Sequence, residues 1–387
     1  MDETGFRMSR QLTVLQILPA LESGGVERGT LEVAGELVRR GYRSIVVSGG
    51  GRLVEELERQ GSEHITMPVG KKSIRTLGQI RRLRGVLRER HVDIVHVRSR
   101  VPGWLTMLTL RGMRPGERPH VVTTCHGLYS VNRYSAVMTR GERVIVISDT
   151  VRDHVLTNFP ATDPSKIRLV YRGVDPDLYH MGYQPNEDWK AQFFGEFPQL
   201  AGRRMLTLPG RLTRVKGHAN FIELMDRLRH EVPDVIGLVV GGEDPKRQRY
   251  AQEIYDDVRR RGLDNLVFAG HRSDLRDILA VSDLAFSVST SPPEAFGRTT
   301  LEALAIGTPV VGFDGSGTGE ILAELFPAGS VPHGDMDALT SRTLELLSDC
   351  PAVRPNETFT LQRMLGQTLD VYTEVVGPAA GKVRRAA

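Results

Sequence analysis

The sequence predicts an α/β protein built from two doubly wound, parallel-sheet modules. Short runs rich in Val and Ile alternate with helical stretches, and the alternation starts afresh after residue 200. Runs that are apolar throughout, rather than at every second residue, mark strands buried on both faces by crossover helices. In addition, 40 glycines and 21 prolines in 387 residues suit a fold with many strand-to-helix turns.

The elements follow in order. Leu12 to Leu18 is an apolar strand, followed by the turn Ser23-Gly24-Gly25 and a helix from Val26 to Arg40. Further strands are expected at Ser44 to Val47, Ile94 to Val97, His120 to Thr124 and Val144 to Ile147. A polar, aromatic stretch from Tyr179 to Gln199 reads as a linker. The second series runs through Met205 to Leu208, Val235 to Val240, Leu266 to Phe268, Leu284 to Val288 and Pro309 to Phe313. The expected boundaries are 11–178 for the first, acceptor-side module, 179–200 for the linker and 201–355 for the second, nucleotide-binding module. A final segment, 356–387, carries a helix from about Leu361 to Val376 that is expected to pack back on the first module. Ligands of such sheets bind at the carboxyl ends of the strands, so the expected site is a cleft faced by both sheets.

Composition excludes several classes. Cys125 and Cys350 have neither metal-ligand spacing nor partners for a disulfide framework, which points to a reducing cytoplasm. The best apolar run, Trp104 to Leu110, falls far short of the roughly 20 residues of a spanning helix. Met1 to Arg10 lacks the apolar stretch of a signal peptide. The expectation is a cytoplasmic protein.

Charge is unevenly distributed. Up to Asp175 there are 28 Lys and Arg against 18 Asp and Glu; beyond it the counts are 23 and 29. A basic first half suggests an anionic partner. Its densest part, Lys71 to Arg90, has apolar residues Ile74, Leu77, Ile80, Leu83 and Leu87 at helical spacing. The expectation is one amphipathic helix with Lys71, Lys72, Arg81, Arg82, Arg84 and Arg88 turned outward. Such a face is either simply solvated or meets an anionic inner-membrane surface or a phosphorylated acceptor. Without an aromatic platform or a known motif, nucleic acid is not expected as a partner.

Three segments carry chemistry. In Ser291-Pro-Pro-Glu294-Ala-Phe296-Gly297-Arg298-Thr299-Thr-Leu-Glu302, a glycine precedes a helix expected to start near Arg298. A helix start offers free N–H groups and the positive dipole end to a phosphate. Glu302, one turn in, can accept from both hydroxyls of a ribose diol, and Glu294 can hold the hydroxyls of a sugar. Pro209-Gly210-Arg211-Leu-Thr-Arg214-Val-Lys216-Gly217 follows a strand and places cations at a helix start, where the macrodipole disfavours them unless an anion binds there. Thr124-Cys125-His126-Gly127 ends a strand of the first module.

Together these segments resemble the E-x7-E and G-R-x-x-x-x-K-G elements of retaining glycosyltransferases of the GT-B fold, in particular family 4. The resemblance spans roughly Leu12 to Phe326 and includes Gly307-Thr308-Pro309-Val310-Val311. Ala295 stands where the family often has glycine, and Arg298 and Thr299 also depart from its commonest residues. The resemblance implies two Rossmann-like domains facing a cleft and transfer of a sugar from a nucleotide-sugar donor (UDP- or GDP-linked) with retention of configuration. It implies that Arg211 and Lys216 clamp the donor diphosphate, and that backbone groups of His271 and Arg272 meet the nucleobase. Gly24 and Gly25 would approach the donor closely, and His126 would contact the transferred sugar. Catalytic roles are therefore expected for His126, Glu294, Arg211 and Lys216. Donor binding is expected for Gly24, Gly25, Gly242, His271, Arg272, Phe296, Gly297, Arg298, Thr299 and Glu302.

No metal and no cofactor are expected. Asp175-Pro176-Asp177 and Asp335-Met336-Asp337 spell D-x-D without supporting ligands, and Gly315-Ser-Gly-Thr-Gly319 reads as a mobile cleft loop rather than a dinucleotide loop. The Gly24-Gly25-Val-Glu-Arg loop and Lys71-Lys72 resemble envelope-directed members of the family. The acceptor is thus expected to be a cell-envelope glycan or glycolipid, with lipopolysaccharide core as the leading candidate. Two competing functions share the fold class: an NAD-dependent oxidoreductase, and a non-catalytic nucleotide-sugar-binding scaffold.

Overall fold

The computed structural model describes residues 11–22, 24–243 and 248–377. The chain divides into two compact units, Met1–Tyr171 with Arg363–Ala387, and Arg172–Gln362.

The first unit is built on a seven-stranded sheet: β1 (Thr13–Ile17), β2 (Arg43–Ser48), β3 (Glu63–Thr66), β4 (Ile94–Val97), β5 (His120–Cys125), β6 (Arg143–Val146) and β7 (Ile167–Leu169). All pairings are parallel and the order is β3-β2-β1-β4-β5-β6-β7. The strand order reverses beside β1, with β2 on one side and β4 on the other. At such a switch point the loops diverge and leave room for a ligand. β1 is buried at every position, including Gln16, whose amide donates to the Thr30 carbonyl at 3.0 Å.

The second unit has six parallel strands: β8 (Arg204–Pro209), β9 (Val235–Val240), β10 (Leu266–Gly270), β11 (Leu284–Ser287), β12 (Val310–Phe313) and β13 (Ser330–Val331). Their order, β10-β9-β8-β11-β12-β13, reverses in the same way beside β8. Both sheets are the doubly wound, Rossmann-like arrangement that the alternating pattern predicts.

Three strands escape the sequence reading: β3 (EHIT), β7 (IRL) and β13 (SV), all at sheet edges. An edge strand is covered less completely, so it needs no continuous apolar run.

The stretch expected as a linker folds otherwise. Glu187–Glu196 is a helix capped by Asn186, whose side chain accepts from the Trp189 N–H. Phe193 is buried in a cluster with Leu200, Met205, Ile236 and Ile278, and Trp189 stacks on it at 4.9 Å between ring centroids. Phe193 is thus core of the second unit, with Trp189, Phe194 and Phe197 packed partly buried against it.

The helix Leu361–Val376 belongs, from Arg363 onward, to the first unit. Tyr372 is fully buried there, and its hydroxyl lies 2.6 Å from His96 Nδ1. His96 Nε2 in turn lies 2.6 Å from Thr124 Oγ1, so the final helix is tied through β4 to the end of β5. Glu374 reinforces this, accepting from Arg143 and Arg168 on β6 and β7.

Candidate active site

In the second unit the candidate residues gather at the carboxyl ends of the parallel strands. Gly210 and Arg211 follow β8, Gly242 follows β9, His271 follows β10, and the loop carrying Glu294 follows β11. The β8 and β9 ends are laced together, Gly210 N–H donating to Val240 O at 2.8 Å and Leu212 N–H to Gly242 O at 3.0 Å. Arg211 projects outward and is exposed.

Lys216 sits in a one-turn 3-10 helix, Arg214–Lys216, and Gly217 then opens the helix His218–Glu231. Gly217 has φ 73°, and a side chain there would run into the carbonyl of Val288, so only glycine lets this helix start against the end of β11. Ser289 Oγ donates to Val215 O at 2.7 Å and Asn220 Nδ2 to Val288 O at 2.8 Å, fixing the loop from both sides. These positioning residues carry no motif and were missed from the sequence.

This arrangement brings two motifs together. Lys216 Nζ donates to Glu294 Oε2 at 2.6 Å, with both side chains half-buried. Three residues on, Gly297 (φ 92°) caps the helix Arg298–Ile306, as expected. The first-turn amides of Arg298 and Thr299 are at the dipole's positive end. Glu302 accepts from Arg298 Nε at 3.0 Å on the same helix face, its side chain only 12% exposed. The result is two carboxylates, a lysine and a helix N-terminus at the carboxyl end of one sheet. It can bind an anion through the lysine and the amides, and hydroxyl groups through the carboxylates.

The side chains of Phe296 and Arg272 have partners within the fold. Phe296 is buried, its ring edge-on to Phe359 with centroids 6.0 Å apart, so the ring is core and only its backbone is left to meet a ligand. The Arg272 guanidinium pairs with Asp274 and Glu196, each at 2.7 Å, which raises its pKa and anchors the helix Glu187–Glu196. His271 remains exposed, packed beside Gly242. The tract Gly315–Gly319 is not a loose loop. Ser316 caps the helix Gly317–Leu325, and Gly317 N–H donates to Glu294 O at 2.9 Å. A side chain on Gly317 would strike the backbone of Ala295 and Phe296, so this glycine is the floor under the Glu294 loop.

Behind Lys216 lies His218, fully buried at the helix start and edge-on to Tyr250. Burial, assisted by the charge of Lys216, pulls its pKa down to about 4, so it is neutral at ordinary pH.

In the first unit the candidates again lie at carboxyl strand ends. Gly24 caps the helix Gly25–Arg39 after β1, with open space beside Gly25; Ser23 lies outside the described residues. His126 follows β5, half-buried, and its N–H donates to Tyr129 Oη at 3.3 Å. The sequence reading missed Arg98, at the end of β4. It is buried, its guanidinium donates to Gln16 Oε1 at 2.8 Å, and burial lowers its pKa to about 10. Arg98 follows the apolar run Ile94–Val97 and belongs to none of the motifs, so neither periodicity nor spacing singles it out.

The basic segment differs from one outward-facing helix. It forms Ile74–Leu77 and Gln79–Glu89, separated by a turn at Gly78; the side chain of Ile74 lies outside the described residues. Leu83 and Leu87 are buried as expected, but Leu77 is 52% exposed. Arg84 is half-buried with its guanidinium against Gly112, and Arg88 pairs with Glu117 at 2.8 Å. Arg81, Arg82, Lys71 and Lys72 are exposed. Arg84 and Arg88 are thus used within the fold, and Lys72 lies over the Tyr134 ring.

Of the D-x-D pairs, Asp175 Oδ1 accepts from the backbone N–H of Asp177, Asp335 accepts from backbone N–H groups as the cap of the helix Met336–Ser348, and Asp337 forms an ion pair with Arg227. Among the described residues no helix is long and apolar enough to cross a membrane.

Comparison with known proteins bears on the family and the fold. The model of the family described as Glycosyltransferase Family 4 matches residues 23–178, and that of Glycosyl transferases group 1 matches residues 192–356. Alpha-maltose-1-phosphate synthase of Mycolicibacterium smegmatis is 27% identical over 303 residues, covering 72% of this chain and 76% of that protein. The lipopolysaccharide core biosynthesis mannosyltransferase LpcC of Rhizobium leguminosarum is 27% identical over 222 residues, 54% of this chain and 60% of that protein. The crystal structure of a glycosyltransferase from Rickettsia africae superposes with a TM-score of 0.82 at 27% identity, covering 95% of this chain and 99% of that one. Two matched family models that together span most of the chain, a GT-B architecture and this strand-end constellation lead to one conclusion: the chain is a glycosyltransferase of family 4 with the GT-B fold.

Proposed function

We propose that the donor is a UDP- or GDP-sugar and the acceptor a cell-envelope glycan or glycolipid, lipopolysaccharide core being the best fit. The sugar is transferred with retention of configuration and without a metal ion. The observation that carries the donor half of this reading is the 2.6 Å pair of Lys216 and Glu294 beside the first turn of Arg298–Ile306. Lys216, Arg211 and the amides of Arg298 and Thr299 bind the donor diphosphate and stabilise its negative charge as the bond to the sugar breaks. These positive groups do the electrostatic work that a divalent ion does elsewhere. Glu302 accepts from the ribose hydroxyls and Glu294 from the sugar, while backbone groups at His271 and Arg272 meet the base. In the first unit, His126 and the Gly24-Gly25 turn serve the transferred sugar. The nucleotide sugar is consumed as a substrate, and no further cofactor takes part.

The acceptor half rests on the basic first half of the chain and on the role in lipopolysaccharide core biosynthesis of one 27% identical relative. An acceptor of that kind puts the enzyme at the cytoplasmic face of the inner membrane, held there by exposed cations such as Arg81 and Arg82.

A thermal-shift panel of UDP, GDP and their sugars tests the donor assignment. One nucleotide series is expected to raise the melting temperature, and the shift should vanish in Lys216→Ala. No shift with either series, or an equal shift in the variant, overturns it.

A further inference from the structure

A pocket of about 370 Å³ opens on the first unit between Lys71–Ser73, the short helix Ile74–Leu77, the helix Arg100–Arg111 and Tyr134. That size falls in the roughly 300–1,000 Å³ range of small-molecule sites. Its walls are hydrocarbon and aromatic, supplied by Leu77, Val101, Trp104, Leu105, Leu108 and Tyr134.

The indole N–H and the hydroxyls of Ser73 and Thr76 beside it are already engaged. Trp104 Nε1 donates to Tyr134 O at 2.9 Å, and Thr76 Oγ1 donates to the carbonyls of Pro68 and Lys71. Ser73 Oγ lies 3.2 Å from Thr76 Oγ1. A peptide lodged here would leave its own N–H and C=O groups without partners, a costly state once buried. A hydrocarbon chain has no such groups and gains from leaving water.

Charge selects further. Lys71 and Lys72 border the pocket, both exposed, and Lys72 Nζ sits 3.5 Å from the centre of the Tyr134 ring. They stand in the basic half of the chain, 28 cations to 18 anions up to Asp175. The surface then continues toward the strand end. The Arg100 guanidinium lies 5.5 Å from the Tyr134 ring and 5.0 Å from the Tyr129 ring, and the Tyr129 hydroxyl accepts from His126. An apolar pocket, a cationic rim and an aromatic path thus lead in sequence to the residue assigned to the transferred sugar.

We propose that this pocket is the lipid subsite of the acceptor: it holds the hydrocarbon chain of an anionic amphiphile whose acid group rests on Lys71 and Lys72. The inference rests on the glycolipid reading of the acceptor given above and narrows it. The chain enters past Leu77, which explains a large apolar side chain left 52% exposed at the rim. The hydroxyl-bearing end then extends along Arg100 and Tyr129 toward His126.

The test is contact quenching of Trp104 by a bromine-labelled dodecyl phosphate below its micelle-forming concentration. Wild-type protein is expected to show saturable quenching that disappears in Trp104→Phe. The apparent Kd should rise at least about tenfold in Lys71→Gln/Lys72→Gln and in Leu77→Ser, and rise with salt as the charge contacts are screened. Three results overturn the proposal: no saturable quenching, equal binding of bromine-labelled dodecyl maltoside, or quenching by anionic phospholipid vesicles alone. The last identifies the patch as a bilayer contact. Lys216→Ala is expected to retain the quenching while losing nucleotide binding. Quenching without any nucleotide binding in wild type keeps the pocket and removes the donor assignment; the converse removes the pocket alone.

Discussion

Lys216 and Glu294 are 78 residues apart in sequence and 2.6 Å apart in space, and their contact joins the turn after β8 to the loop after β11. Neither is held only by the other. Gly217, Ser289 and Asn220 fix the lysine's loop, and Gly317 supports the glutamate's. The pair therefore stands on a prebuilt frame, which is the condition for electrostatic stabilisation of a charge that develops only during reaction.

Replacing Lys216 or Arg211 by Ala is expected to lower kcat at least about 100-fold, the scale of one lost charge-stabilising donor. Both side chains are at least partly exposed and lie outside the core, so circular dichroism and the unfolding midpoint should stay close to wild type. Near-wild-type turnover in either variant removes the assigned role.

Activity is expected to persist in excess EDTA, because in the proposed clamp cations and helix amides take the place of a metal ion at the diphosphate. Loss of turnover with EDTA, restored by manganese or magnesium, contradicts this. It would return attention to Asp175 and Asp177, whose present work is to close a turn.

His218 gives the stability a pH dependence whose sign follows from its burial. Its folded pKa is about 4, below the ordinary imidazole value of 6.5. Between those values the unfolded chain takes up a proton that the folded one refuses, so stability falls as pH drops from about 6.5 toward 4, by on the order of 3 kcal/mol. Urea midpoints measured across that window should fall in wild type and fall less in His218→Leu. Parallel slopes in the two proteins would falsify the assignment to His218.

The basic segment needs a narrower test than its composition suggests. Arg84 is half-buried against Gly112 and Arg88 pairs with Glu117, so changing them alters contacts within the protein as well as the exposed face. Arg81→Gln/Arg82→Gln changes only exposed positions. It is expected to weaken binding to anionic vesicles and to steepen no other property, with nucleotide affinity unchanged. Unchanged vesicle binding leaves these arginines as solvating residues.

The legible parts of the fold are those where burial leaves a mark on composition. β1, β4, β8 and β9 are nearly continuous apolar runs because helices cover both faces, and each was placed within a residue or two. β3, β7 and β13 at the edges bear no such mark. Nor does the helix Glu187–Glu196, whose aromatic residues read as linker until Phe193 meets its cluster.

At the candidate site, Glu294, Glu302 and Lys216 stand out by the family motifs they resemble and by the glycine turns and helix starts beside them. Side-chain partners on distant segments are not legible in this way. The Arg272 guanidinium is taken up by Glu196 and Asp274, and the Phe296 ring is covered by Phe359. Arg98 and Ser289 were invisible for the same reason: what each bonds to lies on another strand or loop.

The donor assignment is tested most directly by calorimetric titration of UDP and GDP into wild-type protein and into Arg211→Ala, Lys216→Ala and Glu302→Ala. One of the two nucleotides is expected to bind with one-to-one stoichiometry. Loss of Arg211 or Lys216 should weaken it at least about tenfold through the diphosphate, as charge-assisted bonds are removed. Loss of Glu302 should weaken it through the ribose, so that the 2′-deoxy nucleotide no longer binds more weakly than its parent. Isotherms that are the same in wild type and all three variants, or no binding of either nucleotide, would contradict the account.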